Sequence, residues 1–144
     1  GNTIVDAGSG AGLPGIPLAI LNTDKEFILV DSNGKKTRFL FQVKTELGLS
    51  NVTIENCRVE HYESSRQIDM VISRAFSSLE ELAVKTRHLI SSGSNKPCKL
   101  LAMKGRYPKE EITALPDDVT VSRIEKIIVP GENSHRHIVE LICK

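Results

Sequence analysis

A glycine-rich stretch near the start of the chain limits its possible folds more than any other feature. Residues Val5 to Gly15 read VDAGSGAGLPG, with four glycines in the eight positions from Gly8 to Gly15. Glycine loses more backbone freedom on folding than any other residue, so repeated glycine indicates positive φ angles or a close backbone approach to another group. Because apolar runs flank this stretch, we predict a tight turn between a buried strand and a helix, with its backbone facing a ligand.

The composition is that of an ordinary globular domain. The 144 residues are 40% hydrophobic and 26% charged, enough chain for a single core. The net charge of +1 means that any basic surface for nucleic acid must be local. No apolar run has the length of a membrane span, and no signal-peptide pattern opens the sequence. The three cysteines include no C-x-x-C pair, which favours a reducing cytoplasm and argues against a disulfide framework or a metal site.

Apolar runs alternate with helical patterns along most of the chain, which predicts an α/β fold with a mostly parallel sheet in which helices separate the first five strands. The predicted strands cover residues 3–8, 26–32, 51–57, 68–75 and 99–105. The predicted helices cover residues 13–22, 35–49, 77–90 and 107–115, with Gly48 ending the second and Ser78 capping the third. Two final strand-like runs, 119–130 and 135–143, are joined by a short polar link. They predict an antiparallel hairpin at the C-terminus.

The loops after the first four strands are expected to form one site, because ligands of such sheets lie at the carboxyl ends of the strands. These loops carry GSGAG, DSN, RVE and SRA. Gly10-x-Gly12-x-x-Gly15 matches a dinucleotide fingerprint, and Asp31 follows where a ribose-binding acid belongs. A nicotinamide-dependent enzyme is therefore one interpretation.

A second interpretation explains more of the residues. The order Asp6-x-Gly8-x-Gly10-x-Gly12 places an acid before the glycines, which is typical of class I S-adenosylmethionine (SAM) methyltransferases. A pyrophosphate is an anion and favours a helix N-terminus, whereas SAM carries sulfonium and ammonium charges that favour nearby carboxylates. Asp6 would then act directly or by fixing the loop, and Asp31 would accept both ribose hydroxyls.

The stretches VDAGSGAGLPGIPLAI, LVDSNGKKTRFL, NCRVE, VISRAFSSL and AMKGRYPKEEI together resemble the bacterial 16S rRNA guanine-N7 methyltransferases of the RsmG or GidB type. The resemblance covers nearly the whole chain. It implies a Rossmann-like class I methyltransferase sheet and methyl transfer from SAM to one guanine N7 of small-subunit rRNA. We expect residues 1–144 to form a single SAM-binding methyltransferase domain, without the helical N-terminal extension usual in the family.

The resemblance and the residues together give a set of candidate site positions. The expected cofactor-binding residues are Asp6, Gly8, Gly10, Leu13, Asp31, Ser32, Asn33, Val59, Glu60 and Arg74. Arg74 is also expected to position the substrate, since a guanidinium suits SAM's carboxylate or guanine O6. No general base is expected, because N7 carries a lone pair and no hydrogen.

Basic residues after several strands are candidates for contacts to rRNA or the small ribosomal subunit. They are Lys35, Lys36, Arg38, Lys104, Arg106 and Arg136. Alternation along the last strand should place His135 and His137 on one face and Arg136 on the other. Phe76 and Tyr107 are the aromatic candidates for contacting the target base.

Two other functions stay open at this point. A nicotinamide-dependent oxidoreductase predicts a catalytic Tyr/Lys or His, and no Y-x-x-x-K pattern occurs in the sequence. A non-catalytic RNA- or ribosome-binding module predicts the fold without SAM binding. We expect a cytoplasmic monomer that binds neither membrane nor metal.

Overall fold

The computed structural model describes residues 3–74, 78–90 and 98–143. The strands are β1 (Thr3–Ala7), β2 (Glu26–Asp31), β3 (Val52–Asn56), β4 (Met70–Ser73), β5 (Lys99–Lys104), β6 (Val119–Ile127) and β7 (Arg136–Cys143). The helices are α1 (Gly15–Leu21), α2 (Gly34–Leu47), α3 (Leu79–Ile90) and α4 (Lys109–Thr113). Each predicted strand and helix is thus present, with ends that differ by a few residues.

All seven strands form one sheet in the order β3-β2-β1-β4-β5-β7-β6. The first five strands pair in parallel, and β7 runs antiparallel between β5 and β6. The predicted fold, a mostly parallel Rossmann-like sheet with a C-terminal antiparallel pair, is therefore confirmed. Because the strand order reverses between β1 and β4, their carboxyl ends flank the crevice in which ligands of such sheets bind.

The expectation that helices separate the first five strands is wrong between β3 and β4. That connection contains a single 3-10 turn, Val59–His61. Residues 58–67 read RVEHYESSRQ, so only Val59 and Tyr62 are apolar. Such a segment cannot present the apolar stripe that stabilises a surface helix.

Helices cover the two faces of the sheet and enclose two apolar clusters. On one face α3 buries Leu79, Leu82 and Leu89 in a cluster that includes Val71 and Val139. On the other face, Ile16 and Ala19 of α1 and Leu40 of α2 join Phe27 and Leu29 of β2. Both clusters hold the parallel strands rigidly, so their carboxyl ends form a fixed edge.

The predicted helix signals act as expected. Gly48 ends α2 in the left-handed region, at φ 62°. The Ser78 hydroxyl accepts a hydrogen bond from Glu81 N at 3.0 Å, which caps α3. In the part of the chain that the structure describes, no helix has the length and apolar character needed to cross a bilayer.

Candidate functional site

The glycine stretch forms a tight turn between β1 and α1. Gly8, Gly10 and Gly12 have φ angles of 70°, 58° and 95°, which side chains with a Cβ rarely adopt. The backbone N–H groups of Gly8 and Ser9 donate to Val30 O at 2.8 and 3.1 Å, so the turn is held against the end of β2. A Cβ on Gly10 would meet nothing within 4 Å. The backbone there is open on the side where a ligand would lie.

Asp6 lies inside the protein beneath this turn. Its side chain is 1% exposed, and Oδ2 accepts a hydrogen bond from Gly15 N at 2.9 Å. Burial raises the pKa of Asp6 to about 7, although the Gly15 N–H and the Arg74 charge oppose that rise. Oδ1 is buried without a hydrogen-bond partner among the described residues. Asp6 therefore fixes the start of α1 and keeps one polar atom unsatisfied, which is unusual away from a functional site.

Asp31 connects the glycine turn to the start of α2. Its Oδ2 accepts from Gly10 N and its Oδ1 accepts from Asn33 N, both at 2.8 Å. Each carboxylate oxygen has a second lone pair, so both can still accept a hydroxyl donor. The two backbone bonds hold the carboxylate at the edge of the sheet in one orientation.

A cavity of about 150 Å³ lies beside Asp31, at the carboxyl ends of β2 and β3. We call this space the first cavity. Its lining residues are Gly8, Val30, Asp31, Ser32, Cys57, Arg58, Val59, Glu60 and Lys85. The structure thus brings together the predicted residues from the first three loops. The pKa of Glu60 is lowered, chiefly by its own backbone N–H and further by the charges of Lys85 and Arg58. Its carboxylate therefore faces the cavity in the charged form.

Five predicted cofactor residues lie outside that lining: Asp6, Gly10, Leu13, Asn33 and Arg74. Asp6 and Gly10 support the turn and Asp31, as described above. The Asn33 Oδ1 accepts from Lys35 N and Lys36 N at 3.0 and 3.1 Å, so it caps α2. Leu13 is 44% exposed on the glycine turn.

Arg74 lies at a second cavity of about 300 Å³ on the same edge. The end of β5, the end of β6 and the start of β7 form the rest of this cavity, with Met103, Ile127 and Ile138 as apolar walls. We call this space the second cavity. The charge of Arg74 also acts on Asp6 and opposes the rise of its pKa.

Lys104 and Arg136 also line the second cavity, and both form ion pairs. Lys104 Nζ lies 2.7 Å from Glu111 Oε1, and the Lys104 side chain is only 14% exposed. Arg136 is exposed and its guanidinium lies 3.2 Å from Glu132 Oε2. The other basic candidates, Lys35, Lys36, Arg38 and Arg106, are exposed. The aromatic candidate Phe76 lies outside the described residues, as does Ala75 of the SRA loop.

Four lining residues of the first cavity were not predicted as site residues, and one of them, Val30, directly precedes Asp31 on β2. Cys57 and Arg58 follow β3 directly, and their place in the loop NCRVE was a usable signal. Lys85 lies in the middle of α3, so no local pattern marks it. Only the packing of α3 brings its side chain to the cavity. Within the described ranges, no group of three His, Cys, Asp or Glu residues could hold a metal ion.

Comparison with known proteins shows the family. The model of the family described as rRNA small subunit methyltransferase G (GidB) matches residues 1–139. The chain is 48% identical over 143 residues to ribosomal RNA small subunit methyltransferase G of Pseudomonas aeruginosa, covering 99% of this chain and 65% of that protein. It is 48% identical over 141 residues to the protein of that name from Nitrosococcus oceani, covering 98% and 64%. The chain therefore spans just under two thirds of the length of these relatives.

Solved structures agree on the fold. A SAM-dependent methyltransferase from Aquifex aeolicus superimposes with a TM-score of 0.75 at 16% identity, over 99% of this chain and 82% of that one. An rRNA methylase from Streptococcus thermophilus gives 0.68 at 16% identity, over 99% and 87%. The match to the family model over residues 1–139 and the 48% identity to curated relatives show the family. The chain belongs to the rRNA small subunit methyltransferase G (GidB) family.

Proposed function

We propose that this protein transfers a methyl group from S-adenosylmethionine to N7 of a guanine in 16S rRNA. The supporting observation is the first cavity, where Asp31 and the glycine turn meet Val59 and Glu60 in a chain of this family. A dinucleotide oxidoreductase is not favoured, because the family match covers residues 1–139. The acid Asp6 just before the glycines also argues against a pyrophosphate, because that anion favours a helix N-terminus with no acid nearby.

The residues present fit this cofactor. Asp31 has one free lone pair on each oxygen for the two ribose hydroxyls, and Ser32 lies beside it. Val59 and Glu60 offer an apolar wall and a charged acceptor to the adenine base. The bare backbone at Gly8 and Gly10 accommodates the methionine part, with Leu13 beside it on the turn. Asp6, buried beneath the turn with a pKa of about 7, can add negative charge below the cationic methionine part when it is ionised. Asn33 supports the cofactor site indirectly, because its backbone N–H donates to Asp31 and its side chain caps α2.

The chemistry needs positioning more than proton transfer. When bound, the cofactor supplies a methyl carbon attached to a positively charged sulfur. Guanine N7 has a free lone pair and no proton, so no side chain of this protein need act as a base. The task of the protein is to align the nitrogen with the methyl carbon. Such alignment raises the reaction rate by several orders of magnitude, because it raises the effective concentration of the reacting groups. We assign this positioning to Arg74, whose planar donors suit guanine O6 at the second cavity.

The test is a pair of calorimetric titrations followed by a methylation assay. S-adenosylhomocysteine should bind the purified chain and NAD should not. Transfer of labelled methyl to 16S rRNA or to small subunits should then place the label on a guanine N7. Arg74→Ala should bind S-adenosylhomocysteine and lose most of the turnover. NAD binding, or full turnover by Arg74→Ala and Asp31→Ala, would defeat the proposal.

We also propose the surroundings in which the protein works. Its partner would be 16S rRNA, free or within the small subunit, and its compartment the cytoplasm. The exposed basic groups Lys35, Lys36 and Arg38 at the start of α2 would contact phosphates. We propose that it acts as a monomer, without a metal. Size-exclusion chromatography with light scattering tests the monomer.

A further inference from the structure

A groove lies next to the second cavity, at the same edge of the sheet. Its volume is about 490 Å³, and its lining residues are Arg106, Tyr107, Lys126, His135 and His137. No acidic side chain is among them. We call this the edge groove.

His137 separates the edge groove from the second cavity and lines both. Its ring is buried, and Nδ1 lies 2.8 Å from Gly105 O. In the register of the sheet, His137 pairs with Lys104 on one side and Lys126 on the other, whereas Arg136 points to the opposite face. His135 and His137 line the edge groove together and Arg136 does not, as the alternation predicted. A chain that crosses this edge would contact both spaces in succession.

Tyr107 gives the edge groove an aromatic surface held in one orientation. Its ring meets the His137 ring edge to face, with centroids 5.8 Å apart and an interplanar angle of 85°. Tyr107 is nevertheless 55% exposed, so much of the ring is open to solvent. An exposed aromatic ring beside cationic groups is the usual platform for an unpaired base.

The cations of the edge groove are available for an anion. Arg106 and Lys126 form no ion pair within the described residues. Lys104, by contrast, is paired with Glu111. Two cations without an ion pair among the described residues therefore line the groove together with the tyrosine ring.

We propose that the edge groove binds the single-stranded RNA nucleotide adjacent to the target guanine. Its base stacks on Tyr107 and its phosphate lies between Arg106 and Lys126. This proposal rests on the proposed function, since it assumes that the target guanine occupies the second cavity. It accounts for the position of His137, which lines both the second cavity and the edge groove. It also assigns a site to residues that line neither the first cavity nor the second, His137 apart.

The first test measures binding of a single-stranded RNA oligonucleotide by fluorescence anisotropy. Tyr107→Ala should weaken binding about 10-fold, the size of one lost base stack, whereas Tyr107→Phe should match the wild type. Phe41→Ala removes a similarly exposed ring from α2 and serves as the matched control. Calorimetry with S-adenosylhomocysteine should give the same affinity for all four proteins, which shows that each is folded.

The second test measures the salt dependence of the same binding. Arg106→Gln combined with Lys126→Gln should reduce the slope of log K against log salt by about 0.7, the value for one neutralised phosphate of a single strand. Lys44→Gln with Arg66→Gln removes the same charge far from this edge and should leave the slope unchanged. In methylation assays the groove variants should raise KM for RNA and leave kcat near the wild-type value.

The outcomes separate this proposal from the proposed function. If the wild type binds RNA and transfers methyl, and Tyr107→Ala and the groove double variant behave like it, the edge groove is not a nucleotide site. If the wild type binds S-adenosylhomocysteine but neither binds nor methylates RNA, the proposed substrate fails and the groove proposal fails with it. Weaker RNA binding by Tyr107→Ala, without a similar weakening by Tyr107→Phe, supports stacking of a base on the tyrosine ring.

Discussion

Gly15 N donates a hydrogen bond to Asp6 Oδ2 at 2.9 Å, which ties the first turn of α1 to the end of β1. Residue 15 has no room for a side chain. A Cβ there would lie 2.6 Å from Asp6 Oδ2 and 3.1 Å from two carbons of Leu29. The fourth glycine of the loop is thus required by packing against Asp6 rather than by its backbone conformation, since its φ angle is not positive.

Gly15→Ala should destabilise the protein, because the new methyl group must displace the Asp6 carboxylate or the side chain of Leu29. Overpacking of this kind costs about 1–3 kcal/mol in the free energy of unfolding. Urea denaturation measures it. Gly34→Ala is the matched control, since its nearest neighbour would be Asn56 Nδ2 at 4.0 Å. Equal stability of the two variants would show that the contact at Gly15 is not tight.

Asp6→Asn should change how stability depends on pH. The folded pKa of Asp6, about 7, lies above its ordinary value of 3.8, so the folded state binds the proton more tightly. The stabilisation from the protonated acid is complete below about pH 4 and is lost as the pH rises through 7. Asparagine does not titrate and can still accept from Gly15 N. The variant should therefore gain stability over the wild type between pH 4 and 8, by up to a few kcal/mol.

Urea denaturation of both proteins at several pH values measures this difference, and the other titrating groups cancel between them. A constant difference from pH 4 to 8 would show that Asp6 has an ordinary pKa.

The raised pKa of Asp6 also predicts how the binding of SAM depends on pH. A cationic ligand near Asp6 favours its charged form, so the affinity of the wild type for SAM should rise as the pH approaches 7.

Asp31→Asn should weaken the binding of S-adenosylhomocysteine by about 10-fold or more. Both carboxylate oxygens accept backbone hydrogen bonds, from Gly10 N and Asn33 N. An amide offers one oxygen, so one backbone N–H would face an NH₂ group and one of the two acceptors for the ribose hydroxyls would be lost. Calorimetry measures the affinity. Asp24→Asn makes the same change of charge at an exposed position and should bind like the wild type.

Asn33→Ala should lower the thermal stability of the protein and leave its affinity for S-adenosylhomocysteine nearly unchanged. Its side chain caps α2 through Lys35 N and Lys36 N, and loss of such a cap costs about 1 kcal/mol. Thermal denaturation should show a lower Tm, and Asn33→Asp should restore it because aspartate caps equally well. If instead affinity for S-adenosylhomocysteine fell 10-fold with an unchanged Tm, the side chain would be a direct ligand.

The pair Lys104 and Glu111 should be energetically coupled. Both side chains are largely buried, and Glu111 Oε1 also accepts from Leu79 N at 3.1 Å. A double-mutant cycle with Lys104→Met and Glu111→Gln should give about 1 kcal/mol of coupling in urea denaturation. The exposed pair Arg123 and Glu125 is the control and should give less. Equal coupling in the two pairs would show that burial does not strengthen the contact of Lys104 with Glu111.

Local patterns predicted much of this protein. Alternating apolar runs placed the strands, and the polar link 131–134 predicted the antiparallel pair of β6 and β7. Gly48 and Ser78 act where helix-end chemistry predicts, because capping depends on residues within one turn. The expectation that the loops after the first four strands form one site holds for the first three loops, which meet in the first cavity, whereas Arg74 of the fourth loop lines the second cavity. Strand ends that share one edge of a parallel sheet must lie close together.

Tertiary structure decided what depends on contacts between distant residues. The sequence by itself determined the strand-turn-helix unit around Asp6, because glycine conformations and apolar periodicity are local properties. Only the fold placed Lys85 of α3 at the first cavity, raised the pKa of Asp6 through burial, and paired Lys104 with Glu111. The fold also set Tyr107 against His137, 30 residues along the chain, and so created the edge groove. Burial, charge pairing and cavity shape arise from packing between elements, and no local pattern specifies them.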